Sequence, residues 1–248
     1  VAVREERADR EPVWAVVVAG GSGTRFGRPK PFADHAGRPV VAWSVDAARS
    51  VADGVVLVLP AADVARAEDG AYGADRVVAG GPSRSASVRC GLAAVPDEAT
   101  VVVVHDAARP LAGPALFTTV VAALADGEAG GAICAVPVAD TLKRLDDRGR
   151  AVASTVDRQG LVAVQTPQAF RADVLRRAHA AGGEATDDAA LVESLGATVR
   201  VVAGDPVNVK LTTPADLAYA EHLLAARRGG NDTADRQGGN DTAGREPG

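Results

Sequence analysis

Val16-Val17-Val18-Ala19-Gly20-Gly21-Ser22-Gly23-Thr24-Arg25, followed by Pro29-Lys30, is the stretch that decides the fold. Its first residues are apolar throughout, as expected of a strand covered on both faces. Glycines immediately after such a strand let backbone N–H groups come close to phosphate oxygens. Ala19, Gly20, Gly21 and Gly23 are therefore candidate phosphate-binding positions. Arg25 and Lys30 are the flanking cations that suit a triphosphate whose pyrophosphate leaves with growing negative charge. A plain glycine turn with two solvated cations is the competing reading. Two familiar phosphate loops are excluded. A Walker loop needs Gly-Lys-Ser/Thr, whereas Lys30 stands between Pro29 and Pro31. A dinucleotide fingerprint needs a third glycine where Phe26 stands and an acid where the second strand ends in Leu59-Pro60.

Outward from this loop, short apolar runs alternate with longer helical patterns. Trp14–Val18, Val55–Leu59, Arg76–Ala79, Val101–Val104, Gly131–Val136 and Thr198–Val202 read as strands. Val40–Arg49, Ala61–Asp69, Ser85–Ala94, Ala115–Asp126, Arg171–Ala181, Asp188–Leu195 and Ala215–Arg227 read as helices, the last with Thr213 as N-cap. The alternation predicts a three-layer α/β fold: a mostly parallel open sheet with helices on both faces. Ligands of such sheets bind beyond the carboxyl ends of the strands. That singles out the loops Ala19–Lys30, Gly80–Arg84 and His105–Pro110. Asp140–Thr166 breaks the rhythm, being polar and strand-like with a turn at Asp146-Asp147-Arg148-Gly149, and is expected to project as a β-arm.

The 248 residues suit one domain over 13–228, preceded by a polar segment 1–12. In the segment 229–248, Gly-Gly-Asn-Asp-Thr-Ala occurs twice, and disorder is the expectation there. The net charge of −5 comes without a basic block, which argues against nucleic acid. Val1–Pro12 lacks a signal-peptide apolar stretch and Val13–Ala19 is too short to span a bilayer, so no membrane is involved and a cytoplasmic location is expected. Cys90 and Cys134 have no paired or metal-binding spacing and read as small buried residues of a reducing compartment.

The loop motif then continues through the chain in a fixed order. It runs Gly80-Gly81…Arg84…Ser87-Val88, His105-Asp106-Ala107-Ala108-Arg109-Pro110, Asp140-Thr141…Lys143, Thr155-Val156-Asp157-Arg158, Gln165-Thr166-Pro167-Gln168, Thr186-Asp187 and Asn208-Val209-Lys210. Over Val13–Arg228 this order resembles the nucleotidyltransferases that activate sugars and alcohols. More narrowly, it resembles the 2-C-methyl-D-erythritol 4-phosphate cytidylyltransferases of the non-mevalonate isoprenoid pathway. The resemblance implies a Rossmann-like nucleotidyltransferase fold, CTP and a polyol phosphate as substrates, and a homodimer formed through the arm. It also implies that Gly80, Gly81 and Ser87 read the cytosine edge, and that Asp106 and Ala107 contact the nucleotide. Many relatives carry an acid where this chain has Pro82, so base selection here would rest on backbone groups.

Arg109, Thr141, Arg158, Thr166, Thr186 and Lys210 correspond to the family's alcohol-phosphate site, with Arg109, Thr141 and Arg158 supplied by the neighbouring chain. Arg and Lys suit the phosphate and threonines the hydroxyls. Ser87 and Thr186 read equally well as helix N-terminal residues, whereas for Asp106 capping the next turn is the lesser reading. His105 is expected to orient its loop rather than to move protons.

The implied catalytic set is Arg25, Lys30, Asp106 and Lys210, with Mg2+ held mainly by phosphates and Asp106 nearby. The attacking phosphate monoester has a second pKa of about 6 and needs no general base. Positioning and charge neutralisation then carry the reaction. Ribitol-5-phosphate cytidylyltransferase, other sugar-1-phosphate or molybdopterin nucleotidyltransferases, and a nucleotide-binding module without catalysis are the competing functions.

Overall fold

The computed structural model describes residues 11–19, 34–35, 38–65, 67 and 71–237. Gly20, Gly21, Gly23, Arg25 and Lys30 lie outside the described residues, as do 1–10 and 238–248.

A run apolar at every position is stable only when both of its faces are covered, and the middle of the sheet holds such runs in Val13–Val18 and Gly54–Leu59. Strands β1 (Val13–Val18), β4 (Gly54–Leu59), β5 (Arg76–Ala79), β6 (Val101–Asp106), β7 (Gly131–Pro137), β10 (Val162–Arg171) and β11 (Val199–Ala203) form one sheet in the order β11-β7-β10-β6-β1-β4-β5. Every pairing in it is parallel except those of β10, which runs antiparallel to both β6 and β7. Two short strands, β2 (Asp34–His35) and β3 (Arg38–Pro39), pair separately.

Alternate residues of the sheet feed two cores. Val13, Ala15 and Val17 pack with Val41 and Val45 of α1 (Val40–Arg49) and Phe117 and Val120 of α4 (Pro114–Ala122). Val16 and Val18 face the other side, with Val88 and Leu92 of α3 (Arg84–Ala93), Leu175 of α5 (Ala172–Ala180) and Val192 of α6 (Asp188–Ser194). These are the three layers that the alternation implies. A third cluster seats α7 (Pro214–Gln237) through Ala220 and Leu224 against Val40, Leu111 and Leu211. Gly91 brings α3 close to the sheet, since a Cβ there would lie 2.4 Å from a methyl of Val16. No helix among the described residues is long and apolar enough to cross a membrane.

Several elements depart from the sequence reading. Helix α2 is only Ala61–Val64 and α4 stops at Ala122. Helix α7 runs on to Gln237, ten residues past the expected end at Arg227 and into the first copy of the repeat. Propagation adds one hydrogen bond per residue once the nucleus exists, and the α7 nucleus is firm. Thr213 Oγ1 accepts from Asp216 N–H, while Asp216 Oδ2 accepts from Thr213 N–H, a reciprocal capping box. Cys134 is buried as expected, but Cys90 on α3 is half-exposed.

The arm is a hairpin of β8 (Leu142–Leu145) and β9 (Val152–Val156). Its turn is where the sequence placed it, with Gly149 at φ +66° and Asp146 Oδ1 accepting from the N–H groups of Arg150 and Ala151. Its far boundary is different. Residues 162–166, expected in the arm, already belong to β10, with Val162 opposite Pro137 and Ala163 opposite Val136.

Candidate active site

Three loops leave the sheet at one end. In the β1–β6 register Val18 lies opposite Asp106, so the start of the glycine loop and the His105–Pro110 loop emerge side by side. Ala107 N–H donates to Val18 O at 2.9 Å, Ala19 N–H to Val58 O at 2.8 Å, and Gly80 N–H to Leu59 O at 2.7 Å. The carboxyl ends of four neighbouring strands are thereby tied together.

Asp106 is the centre of charge. Its Oδ1 accepts from Arg84 Nε at 3.0 Å and its Oδ2 from Lys210 Nζ at 2.6 Å. Burial alone would raise the Asp106 carboxyl. The Arg84 and Lys210 cations more than offset it and hold the group well below the usual carboxylate range. The two cations are unequal, since the Lys210 side chain is 44% exposed and that of Arg84 21%. Lys210 is the partner that can leave. Arg84 also donates from Nη1 to Asp188 Oδ2 at 2.8 Å, and Asp188 Oδ1 lies 2.9 Å from His179 Nε2.

Behind Asp106 stands a polar buttress. Thr166 Oγ1 accepts from Asp106 N–H at 3.1 Å and lies 3.1 Å from His105 Nδ1. The hydroxyl expected to meet substrate is thus engaged with the 105–106 segment, on a residue buried on β10. Gln165 Nε2 donates to Asp205 O and Asn208 O, and Asn208 Nδ2 donates to Thr166 O, which fixes the loop that carries Lys210. Ser44 Oγ donates to Ala107 O at 3.3 Å from α1.

His105 is fully buried, with its ring 5.0 Å from that of Phe117 and its Nε2 without a hydrogen-bond partner among the described residues. Burial pushes its pKa down from 6.5 to about 4. The unfolded chain therefore takes up a proton before the folded one does. Stability contributed here is flat above pH 6.5 and falls as pH drops towards 4, by on the order of 3 kcal/mol in total. Urea unfolding at pH 7 and pH 4.5 checks this. His105→Asn is expected to lose less stability between the two than the parent, and equal losses would remove the assignment.

The Gly80–Ser83 loop is shaped by Ser87. Its Oγ accepts from Gly81 N–H at 3.2 Å and donates to Ser83 O at 2.8 Å. The N-cap of α3 is Ser83, whose Oγ accepts from Ala86 N–H, so Ser87 is free of that duty. A Cβ on Gly81 would meet Ala86 at 2.5 Å, so that loop must be glycine there. Pro82 is exposed.

The alcohol-phosphate candidates divide. Arg109 donates from Nη1 to Asn208 O at 2.7 Å and from Nη2 to Val164 O at 3.4 Å, contacts within its own chain and beside Lys210. Thr186 is exposed next to Asp187, and it is Asp187, accepting from Ala190 N–H, that caps α6. Thr141 and Arg158 are exposed at the base of the arm, where Arg158 Nη1 donates to the carbonyls of Val138 and Ala139. The arm side chains Leu145 and Val152 are 53% and 59% exposed.

Arg84, Asp188 and His179 carried no role in the sequence reading. The only signal for Arg84 was its place inside the Gly80–Val88 motif. Among the described residues no group of three or more His, Cys, Asp or Glu is placed to hold a metal ion.

The family model described as IspD, 2-C-methyl-D-erythritol 4-phosphate cytidylyltransferase, matches residues 13–226. The 2-C-methyl-D-erythritol 4-phosphate cytidylyltransferase of Nocardia farcinica is 48% identical over 221 residues, covering 87% of this chain and 95% of that one. That of Rhodococcus opacus is 47% identical over 220 residues, with 87% and 96% covered. The crystal structure of the Thermus thermophilus enzyme of the same name superposes with a TM-score of 0.72 at 36% identity, over 84% of this chain and 97% of that one. The family model and these relatives cover most of the chain at high identity, and the chain belongs to the 2-C-methyl-D-erythritol 4-phosphate cytidylyltransferase family.

Proposed function

We propose that this chain transfers CMP from CTP to 2-C-methyl-D-erythritol 4-phosphate in the cytoplasm, giving 4-diphosphocytidyl-2-C-methyl-D-erythritol and pyrophosphate, as a homodimer. The observation that carries the reading is the Arg84–Asp106–Lys210 cluster at the strand ends, with one cation half-exposed and exchangeable. Two mutually repelling polyanions need such charge more than they need a base. His105, neutral above about pH 4 and fully buried, is ill placed to act as one.

The roles are those the family resemblance implies for each residue. Gly20, Gly21 and Gly23 offer backbone N–H groups to the triphosphate, Ala19, whose own N–H is held by Val58 O, starts that loop at the strand end, and Arg25 and Lys30 neutralise the triphosphate and the departing pyrophosphate. Gly80, Gly81 and Ser87 read the base, while Asp106 and Ala107 hold the nucleotide. Lys210 exchanges Asp106 for the α-phosphate and aligns the incoming phosphate. Thr186 lines the alcohol side, Arg109, Thr141 and Arg158 reach it from the neighbouring chain, and Thr166 supports it from behind through Asp106 N–H and His105.

A divalent cation such as Mg2+ fits this donor set. Mg2+ sites use one or two carboxylates plus substrate phosphates, and Asp106 Oδ2 is the carboxylate oxygen whose partner can leave. When bound, the ion offsets charge on the phosphate oxygens.

The test is pyrophosphate release from CTP and Mg2+ with either methylerythritol phosphate or ribitol 5-phosphate. Turnover with the first and not the second is expected. The reverse would identify a ribitol-phosphate enzyme, and CTP binding without turnover on either would indicate a module without catalysis.

A further inference from the structure

Resting on that functional reading, we propose that Asp188, backed by His179, is a positioning residue. It fixes the Arg84 guanidinium so that Asp106 stays compensated when Lys210 leaves it for a phosphate.

Asp188 is fully buried and both of its oxygens are engaged, Oδ2 by Arg84 and Oδ1 by His179. Well-packed apolar side chains of similar volume often stabilise a fold as well as a buried ion pair does, so this pair is weak evidence of a stabilising role. An ionised carboxylate only accepts, so His179 Nε2 carries the proton in this contact. His179 is itself buried.

The division of Arg84 is the central point. Nη1 goes to Asp188 and Nε to Asp106. The planar guanidinium is anchored at two nitrogens on two carboxylates, with Nη2 buried and without a hydrogen-bond partner among the described residues, so a single Arg84 donor reaches Asp106 Oδ1 and Oδ2 is left to Lys210. Without Asp188 the guanidinium can rotate and take both Asp106 oxygens in a bidentate pair, displacing Lys210 from its resting position. Alternatively it can swing away and leave Lys210 as the sole counter-charge of Asp106, unable to depart. Either way the cation that serves the α-phosphate is misplaced.

The experiment is a double-mutant cycle on Asp188→Asn and Arg84→Lys, read as steady-state pyrophosphate release. Each single variant is expected to lower kcat by about 10- to 100-fold with little change in the KM for CTP. The double variant should be no slower than the worse single one. His179→Gln, which keeps an N–H donor, should retain kcat, whereas His179→Leu should lose it as Asp188→Asn does. Multiplicative losses, or full kcat in folded Asp188→Asn, would overturn the proposal. If Asp188→Asn fails to fold, the His179 pair carries the same reading with the carboxylate in place.

A second measurement is independent of turnover. The 15N-labelled Arg84 Nε–H signal, identified by its loss in Arg84→Lys, should be protected from solvent exchange in the parent and exchange much faster in Asp188→Asn or His179→Leu. Unchanged exchange in both variants overturns the positioning role whatever the activity. A parent without pyrophosphate release, but with this Arg84 response, would instead count against the functional reading.

Discussion

Lys210→Ala is expected to lower kcat on the order of 10²- to 10³-fold, the usual result of removing one donor that stabilises transition-state charge. Lys210 Nζ sits 2.6 Å from Asp106 Oδ2 on a half-exposed side chain, so the cation is held at the site yet open to exchange. Its attraction to a phosphate strengthens as charge builds at the α-phosphate, so the loss should fall on kcat more than on KM. Lys30→Ala is expected to cost a similar factor through the leaving pyrophosphate. Steady-state pyrophosphate release measures both, and near-normal turnover in either variant would remove that lysine from the proposed set.

Mixing Lys210→Ala chains with Arg158→Ala chains, each nearly inactive alone, should restore about a quarter of the parent activity after full subunit exchange. Random re-pairing makes half of the dimers mixed. In each of these, one site has its own Lys210 and receives an intact Arg158 from the neighbour. The physical ground lies in the arm. A two-stranded hairpin is marginal in water on its own, and this one leaves Leu145 and Val152 exposed near its turn and Arg158 exposed at its base. Activity no higher than the sum of the separate variants would place the whole site in one chain, and a monomer in sedimentation would do the same.

The parallel strands were legible because burial on both faces demands uninterrupted Val, Ile and Leu, as in Val55–Leu59. Strand β10 was not, because its middle is Gln165-Thr166-Pro167-Gln168, a sequence that argues against a central strand. The structure shows why those residues are tolerated. Gln165 and Thr166 bond to the Lys210 loop and to Asp106, Gln168 Nε2 donates to Asp187 Oδ2, and the ladder breaks register between Val164 and Gln168. Asp106 and Lys210 were visible as motif residues. Their pairing, like that of Arg84 with Asp188, joins positions 104 residues apart and has no local signature. The glycine loop, the clearest motif of all, lies outside the described residues.

Pro137 and Val162, where the chain departs for the arm and returns from it, are direct partners across β7 and β10. Antiparallel partners stand only about 5 Å apart, a gap that a two-residue turn can close. Everything from Val138 to Leu161 is therefore a branch grafted at a single node, and the sheet is topologically whole without it. That branch can be lengthened, shortened or replaced while the paired strand ends that carry Asp106 keep their register.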